Sequence, residues 1–241
     1  MKIKTYAAVD SADAHLMDML RLCRGDNMGV RDLVPALKLR LGKDQECYDF
    51  CKWWATTGQR GDYDWGDMDL PYLDVKGANV LEPLPEKTMH KYGSLSHTVA
   101  HTLVKIRLAL TVLALRKSYL VAEKVPQDIL DAIQEQIVNG TPPAGRKDVM
   151  DRTDQVSILQ KLQAQTRRLY AAVDEQNRYF WPTLLNPGRH LTTRPGAYTM
   201  GGVEEMEIML QYNYNAWIET PGAIDVIRKL SENKQRKPKV K

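Results

Sequence analysis

SLSHTVAHTLVKIRLALTVLALRKSYL, residues 94–120, is the stretch on which the fold turns. Leu95, Val99, Leu103, Ile106, Leu110 and Leu113 follow at steps of four and three, which stacks them on one side of an α-helix. A second row, His97, His101, Val104, Leu108, Val112 and Leu115, keeps the same steps. Two rows side by side make a face too wide for a surface helix, so neighbouring helices should cover most of its circumference. At about 1.5 Å per residue it would run roughly 40 Å, enough to cross a domain of this size.

Outward from this helix, Ser11 is placed to cap a first helix over Ala12–Cys23. Asp26 or Asn27 caps a second over Met28–Leu41, with Val30, Leu33, Leu37 and Leu41 inward and Arg31, Lys38 and Arg40 outward. Pro35 is expected to kink that helix, unless the helix begins at Asp32, where the proline would fall in its first turn. Gly42 ends it, and a third helix over Gln45–Thr57 turns Cys47, Phe50, Cys51 and Trp54 inward, leaving Trp53 one position round and exposed. Helices joined so tightly lie antiparallel. Residues 58–93 carry too many glycines and prolines for long regular structure and hold the acidic, aromatic run DYDWGDMD. Its aromatics are expected to fold back into a groove between helices, with docking to a basic partner as the alternative. Beyond the central helix come a helix from Pro126 to Val138 with Ile129, Ile133 and Ile137 inward, and a flexible loop over 139–145. Then follow a long helix from Asp154 to Phe180 stopped by Pro182, one over Val203–Trp217, and a last over Gly222–Leu230. Strand signals are nearly absent, so the class is all-α: antiparallel helical hairpins around a long central helix, forming one domain over residues 1–230.

The run LGKDQECYDFCKWW, residues 41–54, resembles the junction and second helix of a tetratricopeptide-type unit. With residues 25–54, SLSHTVAHTLVKIRLAL and PGRHLTTRPGAYTMGGVEEMEIMLQYNYNAWIETPGAID, the chain resembles a group of functionally uncharacterised fungal helical-repeat proteins. The resemblance implies a stacked-helix fold and no particular reaction. Some members of that group carry a MYND-type zinc finger, whose cysteine and histidine cluster this chain lacks.

The formal charge of +4 is local. Residues 231–241, SENKQRKPKVK, hold five cations against Glu232, so this expected disordered tail carries the whole excess. A neutral body argues against a nucleic-acid surface, which needs clustered cations. No uninterrupted apolar run promises a membrane span, and MKIKTYAAVDS lacks a signal-peptide core. Three cysteines without a paired framework fit a reducing compartment, so a cytoplasmic or nuclear protein is expected.

His97 and His101 are the one metal-like pair, but the zincin pattern needs glutamate where Thr98 stands, and packed core histidines are the plainer reading. The aspartates from 62 to 74 miss the EF-hand spacing, and Glu204, Glu205 and Glu207 read as helix-start carboxylates. The first expectation is therefore a non-catalytic helical-repeat module that binds another protein without a cofactor, with Arg31, Lys38, Arg40 and Trp53 as its contact residues. The alternative is a small helical enzyme, or a metabolite- or metal-binding protein, built on His97 and His101. It requires a pocket beside the central helix with further polar groups converging on it.

Overall fold

The computed structural model describes residues 5–121, 125–139 and 155–236. It is all-α: among the described residues there are nine α-helices, short 3-10 turns and no strand. The helices are α1 (Tyr6–Leu22), α2 (Val34–Arg40), α3 (Asp44–Ala55), α4 (Leu95–Val121), α5 (Gln127–Asn139), α6 (Val156–Gln176), α7 (Phe180–Leu185), α8 (Val203–Ile218) and α9 (Ala223–Arg236).

The first helix starts earlier than Ser11 because Thr5 caps it, its Oγ1 accepting from the Ala8 N–H at 3.3 Å. Pro35 falls in the first turn of α2, behind a single 3-10 turn at Val30–Asp32, so no kink is needed. Gly42, at φ +70°, closes α2 as the Lys43 N–H reaches back to the Lys38 carbonyl. Packed between α1, α3, α4 and α8, α2 has no outward face and is buried from Val34 to Leu39. The expected outward set is therefore corrected. Lys38 is interior, its Nζ 3.1 Å from both Asp13 and Glu46, while Arg40 forks onto Glu219 at the end of α8.

Residues 58–93 lie back over α3 as expected, and they overturn the exposure of Trp53. Its indole Nε1 donates to Asp74 at 3.0 Å, and its ring meets Tyr63, Trp65 and Tyr72 edge-on at 5.0–6.1 Å. Trp53 is fully buried, since side chains from the acidic segment supply the cover that helical phase alone does not reveal. Arg24 fastens the same segment by donating to the carbonyls of Asp67, Met68 and Leu70.

The central helix is long and apolar enough to cross a bilayer on length and composition alone, which corrects the sequence expectation, yet about two thirds of its most apolar window is buried in this structure. Its covering is uneven. Leu95 through Ile106 is buried throughout, against α2, α3, α6 and α8, whereas Leu113, Tyr119 and Leu120 are exposed. Arg107 pins the middle, donating to the Leu39 carbonyl, to Asp44 and to Thr220 Oγ1.

Three other expectations change. The turn of α5 toward α4 is set by Leu130, Gln134 and Ile137, so Ile129 and Ile133 face solvent. The long helix breaks at Asn177, not Pro182: the Asn177 side chain donates to Gly202 and Glu205 and accepts from the Tyr179 N–H, and Pro182 sits inside α7. The last helix runs to Arg236 instead of ending at Leu230, held by the 2.5 Å contact of Lys234 with Asp174. Residues 140–145 of the expected flexible loop and 237–241 of the tail lie outside the described residues.

Candidate functional site

A cleft of about 490 Å³ opens at the head of α4. One wall is the 3-10 turn before α2, which carries Arg31 and Asp32. This turn is built by Asp26, whose carboxylate accepts the N–H groups of Val30 (2.8 Å) and Arg31 (3.1 Å). The Arg31 guanidinium then lies 4.8 Å over the ring of Trp54, which itself stacks on Trp65 at 5.7 Å. Among the described residues that guanidinium makes no hydrogen bond; its nearest anion is Asp26, at 3.6 Å.

Asp32 joins this wall to the first turn of α4. Its Oδ1 accepts from Ser94 Oγ at 2.8 Å and its carbonyl from Ser96 Oγ at 2.5 Å, while Ser94 Oγ in turn accepts from the His97 N–H. The His97 ring stands 3.2 Å from the Arg31 carbonyl and 3.9 Å from Asp32. Burial pushes this imidazole below its usual value and Asp32 pulls partly the other way, so His97 is neutral at pH 7.

Residues 86–94 form the next wall and contribute Lys87, Thr88 and His90. The Gln176 amide donates to the carbonyls of Thr88 (3.2 Å) and His90 (2.9 Å), which draws this segment against the end of α6. Gly93 is required there, because a Cβ would come within 2.9 Å of the Lys87 carbonyl and 3.0 Å of both Gln176 Nε2 and the His90 carbonyl. The remaining wall is Tyr198, Met200, Glu205 and Met209. Glu205 is buried, with Tyr198 OH on one oxygen and the Gly201 N–H and Asn177 Nδ2 on the other, all within 3.0 Å.

Of the residues nominated from sequence, the structure brings Arg31 and His97 together in this cleft. Lys38, Arg40 and Trp53 are held in the interior contacts described above. The two histidines are used separately. His101, one turn further on, meets the Tyr48 ring edge-on at 5.1 Å with neither ring nitrogen hydrogen-bonded, and burial beside Lys105 pushes it well below its usual value. Among the described residues no group of three or more His, Cys, Asp or Glu side chains is placed to share a metal ion. Cys47 and Cys51 are buried free thiols, and burial pushes Cys51 well up.

The helical reading passed over Asp32 and Lys87 as cleft residues, took Glu205 for a helix-start carboxylate, and missed a second polar cluster below the cleft. There the fully buried Lys105 donates to the carbonyls of Val80 and Glu82 and lies 5.3 Å from the Tyr48 ring. Tyr48 OH and Lys52 both donate to the Glu82 carboxylate, at 3.1 and 2.6 Å. Burial pushes Lys105 down to about 7. A lone lysine amid two apolar rows was the available signal, because lysine is almost never fully buried without a partner.

Comparison of the chain with known protein families, with characterised proteins and with solved structures returns no match.

Proposed function

We propose that the chain is a small-molecule-binding protein and that the cleft at the head of α4 is its ligand site. One observation carries this: an arginine guanidinium, stacked on an indole and free of hydrogen bonds among the described residues, faces a concave space with His97, Lys87 and Asp32. The volume falls in the range of ligand pockets, and Leu95, Met200 and Met209 supply apolar wall beside the polar groups. The cleft supports the alternative drawn from the sequence, a small helical enzyme or metabolite- or metal-binding protein using His97 and His101, only in part: His97 lines it and His101 does not. Three free thiols support a reducing compartment, cytoplasm or nucleus.

Thermal-shift screening of the purified protein against a metabolite library tests the reading. A ligand present at about 100 times its Kd adds about 2.7 kcal/mol, which for a chain of this size raises Tm by roughly 5–10 °C. Met200→Trp, which places an indole at the cleft from an exposed position, should remove the shift. A shift that survives this substitution places the ligand elsewhere and overturns the assignment.

A second reading, the helical-repeat interaction module with its tetratricopeptide-like α2–α3 pair, has a different observation behind it. Leu113, Tyr119 and Leu120 of α4 and Ile129 and Ile133 of α5 are large apolar side chains exposed toward the C-terminal end of α4 and on the helix that follows it, and such side chains are what a protein partner would cover.

A further inference from the structure

We infer that the ligand of this cleft is a small zwitterion, a carboxylate and an ammonium on an apolar or aromatic body; the inference rests on the ligand-site reading above. The cleft carries two cationic side chains, Arg31 and Lys87, and two anionic ones, Asp32 and Glu205, with Asp26 behind its wall 3.6 Å from the Arg31 guanidinium, so both signs of charge face a ligand. These four groups are not equally available. Glu205 is buried beneath three donors, and Lys87 already donates to the Gln59 carbonyl at 3.1 Å.

Arg31 and Asp32 remain, on consecutive residues, with side chains 38% and 26% exposed: open enough to meet a ligand, and shielded enough that a charged contact outweighs one at the open surface. Asp32 uses Oδ1 for Ser94, and among the described residues Oδ2 accepts no hydrogen bond. A carboxylate supplies hydrogen-bond acceptors to Arg31, and an ammonium supplies donors to Asp32. An anion alone sets its charge beside the open Asp32, while a cation alone leaves the N–H groups of Arg31, which Asp26 meets only at 3.6 Å, without a hydrogen-bond acceptor. Met200 and Met209 then face the ligand's body with polarisable apolar surface that accepts varied shapes, including an aromatic ring.

Isothermal titration of the full chain with L-phenylalanine, L-methionine and glycyl-L-phenylalanine tests this and separates a free amino acid from a short peptide. At least one should bind at 1:1 stoichiometry. N-acetyl-L-phenylalanine, which lacks the ammonium, and phenethylamine, which lacks the carboxylate, should each bind at least about tenfold more weakly than the parent. Arg31→Ala should weaken the parent by a similar factor. Asp32→Asn should do the same while keeping an acceptor for Ser94, so that its melting curve stays near the wild type's.

Equal binding of the acetylated compound overturns the role of Asp32 and the zwitterion with it, leaving a carboxylate site. If no zwitterion binds but a library compound does, and Met200→Trp removes it, the ligand class falls and the cleft stands. If nothing binds at the cleft, both fall.

Discussion

Between Ser96 and Lys105 the central helix buries six polar or charged side chains, whereas between Leu113 and Leu120 it leaves three large apolar ones in solvent. The difference follows from what lies against each end. The head meets an irregular segment whose carbonyls have no helix or ladder to satisfy them, and buried carbonyls need donors. Thr98 donates to the Thr88 carbonyl, Ser96 to Asp32, and Lys105 to Val80 and Glu82. Three of the six thus act as donors for the backbone folded over the head, while Thr102 donates to Thr98 within α4 and His101 makes no hydrogen bond. The tail lies against α5 and α6, and among the described residues no irregular segment is laid over it, so its apolar row runs out into solvent.

The largest effect should come from removing the cover at the head. Trp53 is the hub of the aromatic cluster that holds residues 63–74 down, and Trp53→Ala should destabilise the protein by about 3–5 kcal/mol in urea unfolding. A loss below about 1 kcal/mol would mean that the segment is held by Arg24 and Asp49 instead, whose contacts do not involve Trp53.

Next in size is a pH effect at Lys105. Its folded value is pushed down to about 7 by burial, against about 10.4 in the unfolded chain, so above pH 7 the unfolded state binds more protons. Stability should therefore rise with pH between 7 and 8.5, by up to about 1.4 kcal/mol per unit, and be lost as pH falls back through 7. Lys105→Met should flatten this slope. Carbonyls can accept from a neutral amine as well, so the contacts to Val80 and Glu82 outlast the proton and the slope reports the charge alone. Below pH 6.5 a second loss is expected from His97 and His101, both pushed down by burial: there the unfolded chain takes up protons that the folded state resists. Urea titrations at closely spaced pH values resolve the two windows.

This contrast between the ends also marks how much could be read from residues. Steps of three and four placed α4 within a residue of its observed ends, because that pattern reports which positions share a face. The same steps put Trp53 and Lys38 outside. Phase gives direction relative to one neighbour and says nothing of a second layer, here the 58–93 segment over α3 and α1 over α2. Gly42 was legible because its backbone effect is local, whereas the kink expected at Pro35 is absent because α2 begins only at Val34. The cleft was half legible: His97 and Arg31 were singled out, while Asp32, Lys87 and Glu205 come from three separate stretches that meet through side chains distant in sequence, Ser94 on Asp32, Gln176 on the carbonyls of Thr88 and His90, and Asn177 on Glu205. No local pattern encodes that meeting.

The smallest expected effect belongs to the other end. Ile133 is 39% exposed on α5, and Ile133→Ser should change stability by no more than about 0.5 kcal/mol, since little apolar area returns to water. A cost several times larger would show that the α4–α5 surface is covered in solution. Sedimentation of the same variant then identifies the cover. If wild-type mass rises with concentration and the variant's does not, a second copy of the chain buries Ile133, and the exposed row at the tail is an interface in the way the head is a cleft. If both stay monomeric and equally stable, the row is surface, and the asymmetry of α4 comes entirely from the backbone laid over its head.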